Sequence, residues 1–287
     1  MKATFALCSI VCNLDEPAQP KTKDDIMGIL TNKRIIVTGA TMGIGQAVAM
    51  RAAKEGADVA FCGLTEQGAD ETIRAIEAAG RRAFFKVVDL RDLDAARQFA
   101  REAIAFLGGL DGLVNNAGAN TWHGVLTSTF EDLDNCFRVN FYHAWALSQE
   151  AYPHLKAAGG GVIVNLSSIN AERTLPGVFP YNVAKAMLVA LTKSIALEWG
   201  KDNIRSVAIQ PGLILTNLAI EYFNKFPDPA AARYRSEGVY PLKRGGRPEE
   251  IAATIVHILS GENGFLNGVP ILIDGGISAL YETRLDE

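Results

Sequence analysis

Short apolar runs alternate with longer amphipathic stretches from Lys33 onward. The short runs are rich in β-branched and apolar residues and cover 34–38, 58–62, 83–88, 112–114, 162–166, 205–209 and 270–273. The longer stretches have the apolar spacing of helices and cover 45–55, 66–79, 93–107, 130–155, 179–199 and 248–259. This alternation is typical of parallel βαβ units. It predicts an α/β fold: one doubly wound, Rossmann-like sheet of seven mostly parallel strands, with helices on both faces.

Two parts of the chain do not follow this alternation. Residues 213–246 contain three prolines and show no regular pattern, and such long loops are usually functional lids or disordered segments. We expect a lid over the substrate. Residues 1–30 are expected to form a flexible extension, because the 15–25 run is polar. The apolar 3–12 run lacks the charge and the cleavage site of an export signal. Met27 is an alternative start, so it stays open whether residues 1–26 belong to the functional protein.

Composition and charge narrow the function classes. The chain has 287 residues and 48% apolar content, enough for one large core, so residues 31–287 are expected to form a single domain. The net charge of -4 and the absence of Lys and Arg clusters interleaved with aromatic residues argue against nucleic acid as a partner. No stretch reaches the ~20 apolar residues that span a membrane. A small-molecule partner is expected.

Cysteine and histidine positions give no sign of a metal site or a disulfide framework. The scattered cysteines are Cys8, Cys12, Cys62 and Cys136, without the spacing of zinc ligands or of a disulfide scaffold. The four histidines form no HxxxH arrangement. We therefore expect no metal and a location in the reducing cytoplasm.

A glycine-rich turn joins the first predicted strand to the first predicted helix. Gly39, Gly43 and Gly45 occupy it. Glycines permit an unusual backbone bend, let a pyrophosphate approach the main chain and let the helix pack on the strand. The helix N-terminus then presents free amides and the positive end of its dipole to an anion. The turn predicts a dinucleotide site.

A second group of residues carries acid–base chemistry. Tyr181 and Lys185 are four residues apart on a predicted helix, so their side chains project from one face. Ser168 stands thirteen residues before the tyrosine. Tyr152 and Lys156 have the same spacing, but they lack the upstream serine and lie at a helix end, so we interpret them as a chance pair.

These features occur in a fixed order with several others. The motifs are Thr38-Gly39-x-x-x-Gly43-Ile44-Gly45, Asn115-Asn116-Ala117-Gly118, Asn140, Ser168, Tyr181-x-x-x-Lys185, Pro211-Gly212 and Asp274-Gly275-Gly276. Together they resemble the short-chain dehydrogenase/reductase family, from about Lys33 to Ser278. The resemblance implies a catalytic set of Asn140, Ser168, Tyr181 and Lys185. It also implies homo-oligomers, dimers or tetramers, built through helices that include 141–147 and 183–197.

The resemblance also implies which residues contact NAD or NADP. Those at the glycine turn are Gly39, Thr41, Met42, Gly43, Ile44 and Gly45. Those at the ends of the next strands are Gly63, Leu64, Asp89, Leu90, Asn116, Ala117 and Gly118. Those around the nicotinamide are Tyr181, Lys185, Pro211, Gly212, Ile214 and Thr216.

Cofactor choice is normally decided where the second strand ends. A carboxylate there binds the ribose hydroxyls of NAD, whereas a basic group meets the extra phosphate of NADP. Gly63 stands where the acid would be and Leu64 where an arginine often stands, and Met42 stands where some members of the family that the chain resembles carry Arg or Lys. The missing carboxylate removes repulsion against the phosphate, and Thr65 offers it a hydrogen bond. The sequence therefore favours NADP but does not decide the choice.

The implied reaction is hydride transfer between NAD(P)(H) and a secondary alcohol or ketone. A free tyrosine titrates near pH ~10, so we expect the Lys185 ammonium and the nicotinamide ring to lower the pKa of Tyr181. Tyr181 would act as general acid or base, and Ser168 would donate a hydrogen bond to the substrate oxygen. Asn140 would help to hold a proton-relay water. An alternative is a catalytically silent protein that senses a dinucleotide.

The substrate stays open. Polar candidates for the pocket wall are Asn120, Trp122, His123, Asn170 and Glu172, which would suit a sugar or polyol. Apolar candidates are Leu213, Leu218, Tyr222 and Phe223, which would suit a 3-oxoacyl compound or a ring ketone.

Overall fold

The computed structural model describes residues 28–280. Apart from residues 28–30, the predicted N-terminal extension lies outside the described residues, as do Cys8 and Cys12. No helix in the described range combines the length and the apolar character that crossing a membrane requires.

The strands form one large sheet and one small one. In chain order they are β1 (Arg34–Thr38), β2 (Asp58–Gly63), β3 (Ala83–Val87), β4 (Gly112–Asn115), β5 (Trp122–His123), β6 (Gly161–Leu166), β7 (Phe179–Pro180), β8 (Ile204–Pro211) and β9 (Val269–Ile273). The large sheet has seven strands in the order β3-β2-β1-β4-β6-β8-β9, and every neighbouring pair is parallel. The predicted seven-stranded parallel sheet is confirmed.

Helices cover both faces of this sheet. They are α1 (Gly43–Lys54), α2 (Ala69–Ala78), α3 (Leu93–Leu107), α4 (Phe130–Phe137), α5 (His143–Ala157), α6 (Tyr181–Trp199), α7 (Asn217–Phe223), α8 (Pro229–Gly238) and α9 (Pro248–Ser260). Successive strand residues face opposite sides: Ile35 and Val37 pack with α1 and α9, whereas Ile36 packs with α3 and α5. Burial on both faces explains why the strands are almost wholly apolar, and the doubly wound prediction is confirmed.

Two of the predicted helices are interrupted or shortened by another element of structure. The stretch predicted as one helix over 130–155 is α4 and α5, joined by a π-helical turn at Arg138–Tyr142. The helix predicted from residue 179 begins at Tyr181, because Phe179 and Pro180 form β7. This strand pairs antiparallel with β5, a small sheet that the sequence pattern did not predict.

The region 213–246 is more regular than its sequence pattern suggests. It contains α7 and α8. The Thr216 hydroxyl caps α7 by accepting from the Ala219 amide, and the Asp228 carboxylate caps α8 by accepting from the Ala231 amide. Pro229, taken as a sign of irregular chain, starts α8, where a proline is well tolerated because its missing N–H would have no helical partner. The prediction of a patternless stretch was therefore wrong.

Candidate active site

A cleft of about 1810 Å³ opens at the carboxyl ends of the strands. In open parallel sheets this edge is where ligands bind, at the point where the strand order reverses. Here the order reverses between β1 and β4. Every residue predicted to bind the dinucleotide or to act in catalysis lines this cleft, except Gly45 and Asn140.

The glycine turn after β1 has the conformation that only glycine adopts readily. Gly39 and Gly43 have φ angles of 64° and 59°, in the left-handed region that a Cβ disfavours. Gly45 has another reason to lack a side chain: a Cβ there would collide with the Gly39 carbonyl oxygen and with Nδ2 of Asn116. Gly45 therefore lets α1 pack closely against the turn and does not itself face the cleft.

The N-terminus of α1 points its amides at the cleft. The first amides of a helix have no intrahelical partner. In α1 the N-cap residue, Met42, makes no side-chain hydrogen bond to them either. Gly43 and Ile44, the first two residues of α1, both line the cleft. Free amides and the positive end of the helix dipole are the elements of a phosphate site.

Asn116 and Thr38 hold this turn against the end of β4. Nδ2 of Asn116 donates to the carbonyl oxygens of Thr38 and Gly39, at 2.8 and 2.9 Å. The Thr38 hydroxyl accepts from the amides of Asn116 and Ala117, both at 3.0 Å. These bonds use the protein's own polar groups to fix the turn before any ligand arrives, and the arrangement fits a bound dinucleotide.

The end of β2 has no room for a longer side chain. A Cβ on Gly63 would lie 2.5 Å from Cγ2 and 2.9 Å from Oγ1 of Thr41. The adjacent Asp89 carboxylate pairs with the Arg91 guanidinium, with Nη2 and Oδ2 2.6 Å apart. This pair lowers the pKa of Asp89 chiefly through the hydrogen bonds from Arg91, so the carboxylate stays ionised and its charge is neutralised.

Ser168 and Tyr181 enter the cleft from the β6 side. Ser168 follows β6, and its Oγ accepts hydrogen bonds from the amide and Nδ2 of Asn170, at 3.1 and 3.3 Å. Tyr181 is the first residue of α6. Burial raises the pKa of the Tyr181 phenol to about 12, and the neighbouring Ser168 hydroxyl opposes that rise.

Lys185 lies one helical turn after Tyr181 and is almost fully buried. Its Nζ donates to the Leu166 carbonyl oxygen at 2.9 Å and lies 5.4 Å from the centroid of the Tyr181 ring. Burial lowers the pKa of Lys185 to about 8. The sequence-based expectation that Lys185 and the nicotinamide ring together lower the pKa of Tyr181 concerns the cofactor-bound site; in the protein alone, burial is the largest cause and the pKa of the phenol lies above its ordinary value.

Asn140 lies behind the cleft, in the π-helical turn. Its Nδ2 donates to the carbonyl oxygens of Ala119 and Cys136, both at 3.0 Å, and its Oδ1 accepts from the Ala119 amide at 3.2 Å. A Cβ on Gly118 would lie 2.6 Å from this Oδ1 and 3.1 Å from Nζ of Lys185. Asn140 thus ties the loop after β4 to the turn, close to the lysine.

Ser167 and the Tyr152–Lys156 pair show that spacing alone is a poor guide. The Ser167 hydroxyl, adjacent to Ser168, donates to the Lys185 carbonyl oxygen at 2.8 Å and serves to hold α6. Tyr152 and Lys156 both contact the Asp202 carboxylate, at 2.7 and 3.0 Å, and neither lines the cleft. The interpretation of that pair as chance is supported.

The open end of the cleft combines polar and aromatic walls. Of the polar candidates, Glu172 does not line it, because its carboxylate accepts from Nε2 of Gln210 at 3.2 Å; the other polar and apolar candidates do line it. The Trp122 and Tyr222 rings stack with centroids 5.7 Å apart. Sequence reasoning missed Arg173, which lines the cleft, and Cys136, whose Sγ lies 3.6 Å from Nδ2 of Asn140. The helical spacing of residues 136 and 140 is a signal that would have found Cys136.

The chain is similar to known proteins over most of its length. Residues 39–278 match the family model described as enoyl-(acyl carrier protein) reductase. The L-rhamnose 1-dehydrogenase (NAD(P)(+)) of Sphingomonas sp. SKA58 is 35% identical over 255 residues, which are 88% of this chain and 98% of the relative.

Two solved structures are similar over the same region. Acetoin dehydrogenase YohF from Salmonella typhimurium is 32% identical, with a TM-score of 0.79 over 88% of this chain and 98% of that one. Carveol dehydrogenase from Mycobacterium avium, in complex with NAD, is 25% identical, with a TM-score of 0.84 over 88% of this chain and all of that one. The glycine turn, the cleft and these matches give one conclusion: the chain belongs to the short-chain dehydrogenase/reductase family of NAD(P)-dependent oxidoreductases.

Proposed function

We propose that this protein interconverts a secondary alcohol and a ketone, with Tyr181 as the group that moves the proton. The observation that carries the proposal is the shared cleft: Ser168, Tyr181 and Lys185 line it together with the glycine turn and the first amides of α1. A protein that only sensed a dinucleotide would not require a tyrosine and a buried lysine beside the serine.

Ser168 and Tyr181 have separate roles in the proposed reaction. A nicotinamide bound by these residues would supply or accept the hydride and, when oxidised, would add a positive charge to the site. The Ser168 hydroxyl hydrogen-bonds the substrate oxygen as negative charge develops on it. In carbonyl reduction Tyr181 donates its proton to that oxygen, and a pKa of about 12 keeps the phenol protonated until then.

Alcohol oxidation requires the reverse proton transfer, because the phenol must then be deprotonated in order to act as a base. We propose that a protonated Lys185 and the oxidised cofactor together favour the phenolate. A pKa of about 8 lets Lys185 exchange its own proton near neutral pH. Asn140 Oδ1, which keeps a second lone pair, is proposed to hold a water in the path from Lys185 to solvent.

We propose a preference for NADP over NAD. The support is chemical: β2 ends at Gly63 with no carboxylate, and the Asp89 carboxylate is neutralised by Arg91. An uncompensated carboxylate would repel the 2′-phosphate of NADP. A paired affinity titration with NAD and NADP tests this preference, and a large preference for NAD would contradict it.

The substrate class is proposed only as a secondary alcohol or its ketone. The named sugar and acetoin dehydrogenases support an alcohol substrate, and the cleft offers both polar and aromatic walls. We propose that residues 213–246, which contain α7 and α8, form the lid, because Leu218, Tyr222 and Phe223 line the cleft from that segment.

A homo-oligomer is also proposed, with a cytoplasmic location. Leu197 on α6 is 85% exposed and Trp145 on α5 is 44% exposed, which leaves apolar surface on the helices predicted to join subunits. Cys62 and Cys136 are buried and unpaired, as in a reducing compartment. Light scattering that reports a monomer at micromolar concentration would contradict the assembly.

The central test is an absorbance assay at the band of the reduced nicotinamide. Purified protein is supplied with NADPH or NADH and a panel of ketones, or with the oxidised forms and a panel of polyols and other secondary alcohols. We expect turnover of at least one pair. No change with any compound, despite measurable cofactor binding, would favour a dinucleotide-sensing protein instead.

A further inference from the structure

The charges that line the cleft are unevenly balanced. The Asp, Glu, His, Lys and Arg residues that line it, within the part of the chain that the structure describes, are Asp89, Arg91, His123, Arg173 and Lys185. Asp89 is the single carboxylate among them and pairs with Arg91. His123 lies 3.7 Å from the Asp132 carboxylate. Arg173 and Lys185 remain, so the cleft of a protein with net charge -4 carries excess positive charge.

Arg173 has no acidic partner within the part of the chain that the structure describes. Between residues 28 and 280 no carboxylate lies within ion-pair distance of its guanidinium. The adjacent Glu172 would be the natural partner, but its carboxylate is occupied with Nε2 of Gln210 at 3.2 Å. The Glu172 carboxylate thus contacts β8, whereas the Arg173 side chain is exposed and lines the cleft.

The position of Arg173 relates it to the substrate rather than to the dinucleotide. Its amide donates to the Ile169 carbonyl oxygen at 2.9 Å, one turn past Ser168, the residue proposed to bind the substrate oxygen. The glycine turn follows β1, and β4 separates β1 from β6 in the sheet. One substrate molecule can therefore meet Ser168 and Arg173 from the same segment of chain.

We propose that the substrate carries an anionic oxygen group, a carboxylate or a phosphate, that binds Arg173. This inference rests on the proposed oxidoreductase function and narrows its substrate class to hydroxy and oxo compounds with such a group. A guanidinium presents a planar fork of donors that matches either anion and forms strong charge-assisted hydrogen bonds. The stacked Trp122 and Tyr222 rings provide an apolar wall for the rest of the molecule.

The test compares matched substrates with and without the charge. One arm uses a series of straight-chain oxo acids and their methyl esters; the other uses dihydroxyacetone phosphate and dihydroxyacetone. We expect kcat/KM for the charged member of at least one arm to exceed that of its neutral partner by roughly tenfold or more. The arm that shows the preference identifies the anion. Added salt should raise KM for the charged compound alone.

Variants assign the preference to one side chain. Arg173→Gln should abolish it while leaving dinucleotide affinity unchanged, and Arg173→Lys should retain part of it, because the charge survives without the fork. Arg235→Gln is the matched control, since Arg235 is an exposed arginine on α8 that does not line the cleft. An unchanged preference in Arg173→Gln would overturn the assignment.

Calorimetric affinities of the cofactor-loaded protein for the same compounds separate this inference from the proposed function. Absence of turnover with every compound would contradict the oxidoreductase proposal. Equal affinity for charged and neutral partners in both arms would contradict the anion site, whether or not turnover occurs.

Discussion

Nζ of Lys185 lies 5.4 Å from the centroid of the Tyr181 ring, and burial moves the pKa values of the two groups in opposite directions. The phenol titrates at about 12 and the ammonium at about 8. Desolvation disfavours the charged form of each group, so the shifts follow from burial and not from an ion pair between them. The site therefore holds two groups whose charged forms are destabilised, which makes their protonation sensitive to any charge that enters the cleft.

Replacing Lys185 should stabilise the fold at neutral pH. Its pKa is about 8 in the folded chain against 10.5 as a free side chain, so between these values the unfolded state binds more protons and stability rises with pH. At pH 7 the buried charge costs about 3 kcal/mol, offset by about 1 kcal/mol from the hydrogen bond to Leu166. Lys185→Met should raise the free energy of unfolding by ~2 kcal/mol at pH 7.

Denaturant titrations from pH 7 to 11 measure this difference. We expect the advantage of Lys185→Met to shrink steadily above pH 8, to vanish near pH ~9.5 and to become a deficit of about 1 kcal/mol above pH 10.5, while the variant loses both turnover and cofactor affinity. A variant that is less stable than the native protein at pH 7 would show that the ammonium is well solvated in the fold.

Removing the phenolic hydroxyl of Tyr181 should stop turnover without disturbing binding. Tyr181→Phe keeps the ring but lacks the transferable proton, so we expect kcat to fall by roughly a thousandfold while dinucleotide affinity changes little. Tyr152→Phe is the matched control, because Tyr152 has a lysine at the same spacing but bonds to Asp202. Full activity in Tyr181→Phe would refute the proton-transfer role.

Cofactor preference should respond to a carboxylate at the end of β2, provided that space is made for it. In Gly63→Asp alone, the new Cβ would press on Thr41. Thr41→Ala with Gly63→Asp removes that contact and should shift the ratio of NAD to NADP affinity towards NAD by about tenfold. Paired titrations measure the shift, with Thr41→Ala as control. A double variant that still binds NADP as tightly as before would place the 2′-phosphate elsewhere.

Loss of the aromatic stack should weaken substrate binding more than cofactor binding. Tyr222 on α7 stacks on Trp122 with an interplanar angle of 19°, and such pairs contribute about 0.5–1.5 kcal/mol beyond their buried area. Tyr222→Ala should therefore raise substrate KM by roughly threefold to tenfold. Tyr234→Ala on α8 serves as control, because that ring is 78% exposed and does not line the cleft. Equal effects of both variants would argue against Tyr222 as part of the lid.

Much of the cleft was predictable because its parts depend on local sequence. The glycines at 39 and 43 are needed for left-handed backbone, and the strand that precedes them and the helix that follows are readable from apolar periodicity. Parallel strands end at one edge of the sheet, so the motifs that follow β1, β2, β4, β6 and β8 meet there. The sequence also separated Tyr181 from the Tyr152 pair through the position of Ser168.

Features that depend on contacts between distant segments were not predictable. The π-helical turn is held by Asn140 bonding to Ala119, which is 21 residues away in sequence. The direction of Glu172 depends on Gln210 in β8, and that contact leaves Arg173 without an acidic partner among residues 28–280. The α7 and α8 helices are short, and the prolines of this region suggest irregular chain. The residues that cap these two helices could therefore be recognised only in the structure.

The amino-acid order by itself therefore determined the sheet, the glycine turn and the set of residues at its edge, because periodicity, turn chemistry and spacing act over a few residues. The folded molecule alone decided how deeply Tyr181 and Lys185 are buried and which charges in the cleft remain uncompensated. Both properties are sums over neighbours from many segments, since desolvation and ion pairing depend on distance in space and not on distance along the chain.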